Sequence, residues 1–260
     1  MLGLLRGFAI KTIALLGGTH FIGYHLLRNL YTRGHQITIF NRGITQPPSS
    51  LPKEVEVIIG NRNNPADFQN LFYKEFDVVF DLSGYSQNHI LPIVRDYRSS
   101  IGHYIFCSTS SVYKMPHFGL LDEESPRDFI KNTYGGEKAL AEELLLSECK
   151  TQKWPVTIFR PHGVFGPYDY GQPTYQAWQV FYRLAHFMPI PVINEKKLPF
   201  NLLYVDDLVN GFVEAMNNEN SHGNIYGIAG DDTTSELDFI RLCGEICSHD
   251  PEIHFVNDLG

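Results

Sequence analysis

The sequence predicts an α/β fold, a doubly wound parallel sheet with a small C-terminal subdomain, and three observations predict it. First, apolar runs rich in β-branched and aromatic residues alternate with helix-length segments: KTIALL (11–16), HQITIF (35–40), VEVII (55–59), DVVFDL (77–82), HYIFCS (103–108) and PVTIFR (155–160). Their near-continuous apolar character fits parallel strands covered on both faces. Second, residues 21–33 carry apolar positions at helical spacing and stop at Gly34, a natural C-cap. Third, residues 132–149 form a long run of good helix formers, KALAEELLLSE among them, after a Gly pair.

After Pro161 the pattern loosens into GVFGPYDYGQPTYQAWQ and an aromatic, helix-like stretch through His186. Helices are expected at 206–217 and 235–247, with a strand at 223–229 between them. The expected division is a core over 1–167 and a substrate-side subdomain over 168–260, some of whose segments return to the core. PEIHFVNDLG reads as a strand that more chain should follow.

The composition of the 260 residues is that of an ordinary globular protein, 43% hydrophobic and 19% charged. A formal charge of -8 disfavours polyanion binding, so no DNA partner is expected and RNA is disfavoured. The four cysteines show no C-x-x-C pair and read as buried thiols of a reducing compartment. The apolar start, MLGLLRGFA, is too short to span a bilayer, and the protein is expected to be cytoplasmic. The histidines are dispersed without metal-ligand spacing, and no metal is assigned.

Four stretches carry chemistry. In LLGGTHFIGYHLL a strand, then Gly17, Gly18 and Gly23, then a helix give the Rossmann turn that sets a pyrophosphate on free backbone N–H groups. Its cofactor contacts are expected from Gly17, Thr19, His20, Phe21, Ile22 and Gly23, with His20 either hydrogen-bonding a phosphate or pointing outward. Phe40-Asn41-Arg42-Gly43 closes the next strand without the carboxylate that usually holds the ribose of NAD. Asn41 leaves room for a 2′-phosphate and Arg42 has the donors to pair with it, so NADP is favoured over NAD; the alternative is an Arg42 that faces water. Tyr134-Gly-Gly-Glu-Lys138 puts a phenol and an ammonium on one helical face, where the cation is expected to lower the phenol's pKa. The alternative is a solvated surface pair. FCSTSSVY (106–113) lies at the carboxyl edge of a predicted central strand, where such sheets bind ligands; the alternative is a plain serine-rich turn.

Together with RPHGVFGP (160–167) and LYVDDL (203–208), these stretches resemble the extended short-chain dehydrogenase/reductase family, the nucleotide-sugar epimerases and dehydratases, over nearly the whole chain. The resemblance implies that Tyr134 is the acid/base, that Lys138 binds the nicotinamide ribose, and that Thr109, with Ser108 or Ser110 as stand-ins, shares the substrate hydroxyl. It also implies that Asn61 and Arg62 lie by the adenine, that Leu82, Ser83 and Gly84 line the phosphate path, and that Pro161 to Val164 border the nicotinamide. Ser83, Tyr85, Thr109, Tyr113, His162 and the stretch around Tyr175 and Trp178 are expected at the substrate, although core packing suits Trp178 better. Family dimers make a homodimer an expectation.

The departures matter. His20 replaces the middle glycine of the turn, which with FNRG is similar to an atypical branch holding reductase-like proteins and the chloroplast stem-loop RNA-binding proteins. Gly163 stands where many nucleotide-sugar enzymes carry Asn, and Thr109-Ser110-Ser111 lacks the Asp-Glu of the 4,6-dehydratases, which argues against water elimination. The expected activity is interconversion of a secondary alcohol and a ketone on a sugar or sugar nucleotide. An RNA-binding or redox-sensing protein with little turnover is the alternative.

Overall fold

A computed structural model describes residues 9–115, 120–169, 177–193 and 199–256. In chain order the elements are β1 (Thr12–Leu16), α1 (Phe21–Thr32), β2 (Gln36–Asn41), β3 (Glu56–Ile59), α2 (Phe68–Leu71), β4 (Phe76–Asp81), α3 (Gln87–Pro92), β5 (Ile101–Cys107), α4 (Tyr134–Gln152) and β6 (Val156–Pro161). There follow β7 (Val164–Phe165), α5 (Ala177–Ala185), β8 (Ile190–Ile193), β9 (Pro199–Asn201), β10 (Leu203–Tyr204), α6 (Val205–Met216), β11 (Ile225–Ile228), β12 (Thr233–Ser235), α7 (Glu236–Ile246) and β13 (Ile253–Val256). The chain forms two compact units, residues 1–160 with 209–227, and residues 161–208 with 228–260.

The first unit is built on a seven-stranded sheet in the order β11-β6-β5-β4-β1-β2-β3. β1 pairs in parallel with both β2 and β4, and the chain crosses over at that point, which opens a crevice at the carboxyl ends of these strands. The inner strands are buried on both faces, whereas β3 at the edge alternates between partly buried and exposed residues. Each side of that pattern follows from neighbours: a central strand is covered above and below, an edge strand only in part. Phe40, Phe68, Phe72, Phe76 and Tyr104 pack with aliphatic residues in the main core.

The segment 83–100 carries no element in the sequence reading, yet it holds α3 and a π-helical turn, Ile93–Tyr97. Pro92 has no N–H to donate, and the hydrogen-bond ladder changes register there. The second unit is assembled from two-stranded pairings, β10 with β7, β12 with β9 and β13 with β8.

His103 in β5 gives the first unit a pH dependence. Its Nε2 donates to Thr157 Oγ1 (2.8 Å), whose own proton goes to the Ser221 carbonyl, while Nδ1 is buried without a partner. Burial, with the His222 ring at 4.4 Å, pushes its pKa from 6.5 down to about 3. The folded state thus holds a neutral imidazole where the unfolded chain would take a proton, so stability falls as pH drops from 6.5 toward 3. Urea melts between pH 7 and pH 4 should show a shallower loss for His103→Gln than for the parent; equal slopes would refute this.

Candidate active site

The glycine turn is shaped by close backbone approach. Gly17 has φ +101° and donates its N–H to the Phe40 carbonyl (3.2 Å). A Cβ at Gly23 would stand 2.0 Å from the Gly17 oxygen, so no side chain fits where α1 starts. His20 is the extended N-cap of α1, exposed, and makes no side-chain cap bond there. Phe21 and Ile22 are half-buried, and Thr19 is buried. The Asn41 amide joins the turn to β2: Nδ2 donates to Thr19 Oγ1 (3.3 Å) and Oδ1 accepts the Gly43 N–H (2.8 Å). Arg42 beside it is exposed.

A second pair of glycines brings the phenol to the edge of β5. A Cβ on Gly135 would lie 1.9 Å from the Ser111 oxygen, and one on Gly136 would lie 2.0 Å from the Ile130 oxygen. With hydrogen there instead, the start of α4 settles onto both loops, capped by the Thr133 side chain on the Gly136 N–H. Thr109 caps the short helical turn 110–112 by accepting from Ser111 N (3.2 Å), and its hydroxyl donates to Ser111 Oγ (3.2 Å). Tyr134 is 52% exposed, its ring 6.1 Å from that of Tyr85.

Lys138 is buried, one helical turn on, and its Nζ donates to the Cys107 carbonyl (2.6 Å). The ammonium lies 4.7 Å from the Phe106 ring, 5.2 Å from Tyr85 and 6.0 Å from Tyr134. The surface-pair alternative is therefore excluded by burial, but the expected lowering of the phenol's pKa is corrected as well. Desolvation pushes Tyr134 upward, with Cys107 and Tyr85 adding to it and the Thr109 hydroxyl opposing. The Lys138 ammonium is anchored on a backbone oxygen, 6.0 Å from the centre of the Tyr134 ring. Lys138 itself is pushed down by burial, against the pull of Cys107 and Asp81.

Arg62, expected by the adenine, grips the buried Asp81 carboxylate with its fork at 2.7 and 2.8 Å. Asn61 holds the same loop, donating its N–H to Asp67 and accepting from Asn63 N. Leu82 N donates to the Leu16 carbonyl, Ser83 packs where a Gly17 Cβ would be (3.2 Å), and a Cβ on Gly84 would meet Asp81 Oδ2 at 2.8 Å. Tyr113 is a correction: it is buried, and its oxygen accepts from Arg160 Nη1 (3.2 Å), so it supports the interior instead of lining a substrate pocket. Asp81 is the residue that sequence reasoning missed, although a carboxylate ending the apolar run DVVFDL was a signal.

Pro161, His162, Gly163 and Val164 belong to the second unit. His162 N donates to the Ile228 carbonyl, burial pushes its pKa down, and Val164 pairs with Leu203. Gly163 has φ +42° and a Cβ there would come 2.6 Å from the Asn201 oxygen, a backbone reason for the missing Asn. Tyr175 lies outside the described residues, as does the Trp178 side chain.

The first unit fits a dinucleotide: the turn leaves no room for a side chain at Gly23, and Arg62 Nε and Ser108 Oγ are buried polar atoms with no hydrogen-bond partner among the described residues. The sequence profile of the NAD dependent epimerase/dehydratase family matches residues 13–229. The chain belongs to this family. Among epimerase/dehydratase family relatives, the chloroplast stem-loop binding protein of 41 kDa b of Arabidopsis thaliana is 31% identical over 95% of this chain and 66% of its own length. The chain thus spans slightly less than two thirds of that relative. The dTDP-D-glucose 4,6-dehydratase of Homo sapiens is 26% identical over 94% of this chain and 75% of its own. The fold is also that of the Bacillus anthracis dTDP-glucose 4,6-dehydratase solved in complex with NAD, with a TM-score of 0.83 and 18% identity over 95% of this chain and 85% of that one. Among the described residues no helix is long and apolar enough to cross a membrane.

Proposed function

We propose that this family member is an NADP(H)-dependent reductase or epimerase that interconverts a secondary alcohol and a ketone on a sugar or sugar nucleotide. The close approach of the Thr109–Ser111 turn to Gly135, next to Tyr134, with Lys138 seated on Cys107 at the end of β5, carries this reading. The nucleotide would be held by Gly17, Thr19, His20, Phe21, Ile22 and Gly23 at the turn, by Asn41 and Arg42 at the end of β2, and by Lys138 at the ribose. When bound, the nicotinamide supplies the redox couple. Tyr134 passes the proton to or from the substrate oxygen, and Thr109 orients that oxygen through its hydroxyl. Lys138, fixed by Cys107, offers its remaining N–H donors to the ribose. An oxidation followed by reduction from the opposite face would make the protein an epimerase; a single reduction would make it a reductase.

The Thr109-Ser110-Ser111 segment supports this chemistry over dehydration, because no carboxylate follows Thr109 to carry out elimination. Asn41 and the exposed Arg42 favour NADP, since Asn41 already uses both ends of its amide and Arg42 can reach a 2′-phosphate. In a thermal-shift comparison, NADP at a hundredfold excess over its dissociation constant should stabilise the protein by about 2.7 kcal/mol. Arg42→Ala should weaken NADP about tenfold and leave NAD unchanged, the loss of a charge-assisted hydrogen bond. Equal shifts with NAD and NADP in the parent would sink the cofactor assignment. Substrate class is then read by following NADPH oxidation with a panel of keto-sugar nucleotides.

The likeness to a stem-loop binding protein favours a second reading, RNA binding on the same fold. The formal charge of -8 weighs against it. Tight binding of a stem-loop RNA that weakens steeply with salt, in a protein that never consumes NADPH, would replace the first reading with this one.

A further inference from the structure

Asp81 closes β4 with a fully buried carboxylate that four donors surround. Arg62 gives Nη1 to Oδ1 and Nη2 to Oδ2, Tyr104 donates its phenol to Oδ2 (2.5 Å), and Ser83 N donates to Oδ1 (3.1 Å). The guanidinium reaches further, from Nη1 to Ser83 Oγ (2.8 Å) and from Nη2 to the His89 carbonyl (3.2 Å). His89 in turn accepts the Tyr85 N–H on Nδ1 (3.1 Å), and its Nε2 meets Asn63 Oδ1 (2.7 Å). One ion pair thereby ties the end of β4 to the segment carrying Ser83, which packs on Gly17, and Tyr85, which faces Tyr134.

A buried ion pair can often be replaced by apolar residues at no loss of stability, so stability alone gives little reason to keep one here. Its position gives a better reason. The Lys138 ammonium lies 5.2 Å from the ring of Tyr85, on the segment this pair ties down, and 4.7 Å from the ring of Phe106, which flanks Gly84 together with Asp81 Oδ2. At that place the Asp81 charge attracts it and the Arg62 charge repels it, with Cys107 and Glu142 also acting on it. The Tyr85 and Tyr134 rings and His89 are also among its titratable surroundings.

We propose that Arg62 and Asp81 are positioning residues of the nucleotide site: their ion pair holds residues 82–85 against the glycine turn and sets the electric field around the Lys138 ammonium. The inference rests on the proposed roles of Tyr134 and Lys138, and extends them to a pair that touches neither reacting atom.

The test uses the full chain labelled with 13C at lysine Cε, with the Lys138 signal assigned by its loss in Lys138→Met. Arg62→Gln removes a repelling cation and should raise the Lys138 titration midpoint, because Asp81 stays ionised at the alkaline pH where an amine titrates. Asp81→Asn removes the attraction and should lower it, each by about one pH unit. Arg62→Lys keeps the charge but loses the fork, so the midpoint should stay while NADPH or NADH binding, read by fluorescence, weakens about tenfold.

Midpoints that do not move, or that move the same way in Arg62→Gln and Asp81→Asn, overturn the field. Nucleotide binding by Arg62→Lys as tight as the parent's overturns the positioning. If Asp81→Asn does not fold, Arg62→Gln decides the field alone. A parent chain that binds neither nucleotide overturns the proposed function, and the Lys138 titration still reads the field.

Discussion

Replacing Tyr134 with Phe should lower turnover by about 10²- to 10⁴-fold while nucleotide binding stays near that of the parent, the loss expected when one general acid/base is removed. The ring would keep its place beside Tyr85, and the oxygen lost belongs to a half-exposed residue, so the fold should be unaffected. Because burial raises the pKa of Tyr134, the phenol keeps its proton through the neutral range. Reduction, which needs a proton donor, should therefore run at neutral pH, and oxidation, which needs the phenolate, should speed up as pH rises. A Tyr134→Phe protein retaining a tenth or more of parental turnover on any keto-sugar nucleotide would remove Tyr134 from the chemistry.

Glu142→Gln should cost about 3–5 kcal/mol of stability, because it strands a buried cation. Arg160 in β6 and Glu142 in α4 are fully buried, joined at 2.8 Å from Nη2 to Oε2, with Nε donating to Oε1 at 3.1 Å. Arg127 donates to the same carboxylate (3.1 Å), and Arg160 Nη1 also reaches the Glu123 carbonyl (2.9 Å). Each kcal/mol lowers the melting temperature of a chain this size by about 2–4 °C, so a drop on the order of 10 °C is expected. The double variant Glu142→Leu/Arg160→Met removes both charges and should recover most of that loss. Urea melts decide it: a single variant that loses less than about 1 kcal/mol would show that the surroundings neutralise Arg160 without Glu142.

Both predictions concern α4, and they show where sequence reading succeeds and where it stops. Tyr134 and Lys138 share a helical face because α-helical geometry puts residues four apart together, whatever surrounds them. The direction of the phenol's pKa shift does not follow from spacing. It depends first on the burial of the ring by residues distant in the chain, with Cys107 and Tyr85 adding to it. Likewise Tyr113 stands in a segment rich in hydroxyls and reads as pocket-lining, until Arg160, 47 residues on, takes its oxygen in the interior. The two-stranded pairings of the second unit use runs of 2–4 residues, too short to show a period.

The sequence by itself determined the α/β class, the strands of the sheet to within a residue or two, the glycine turn into α1, and the phenol and ammonium of α4. These rest on local rules, burial periodicity and the absence of a Cβ where backbones approach closely. Only the tertiary structure decided the strand order, the engagement of Arg62 by Asp81 across 19 residues of chain, and the seating of the Lys138 ammonium on the Cys107 carbonyl. The physical reason is range: periodicity records which side of a segment is buried, whereas a buried charge is settled by whichever distant partner the fold brings within hydrogen-bond reach.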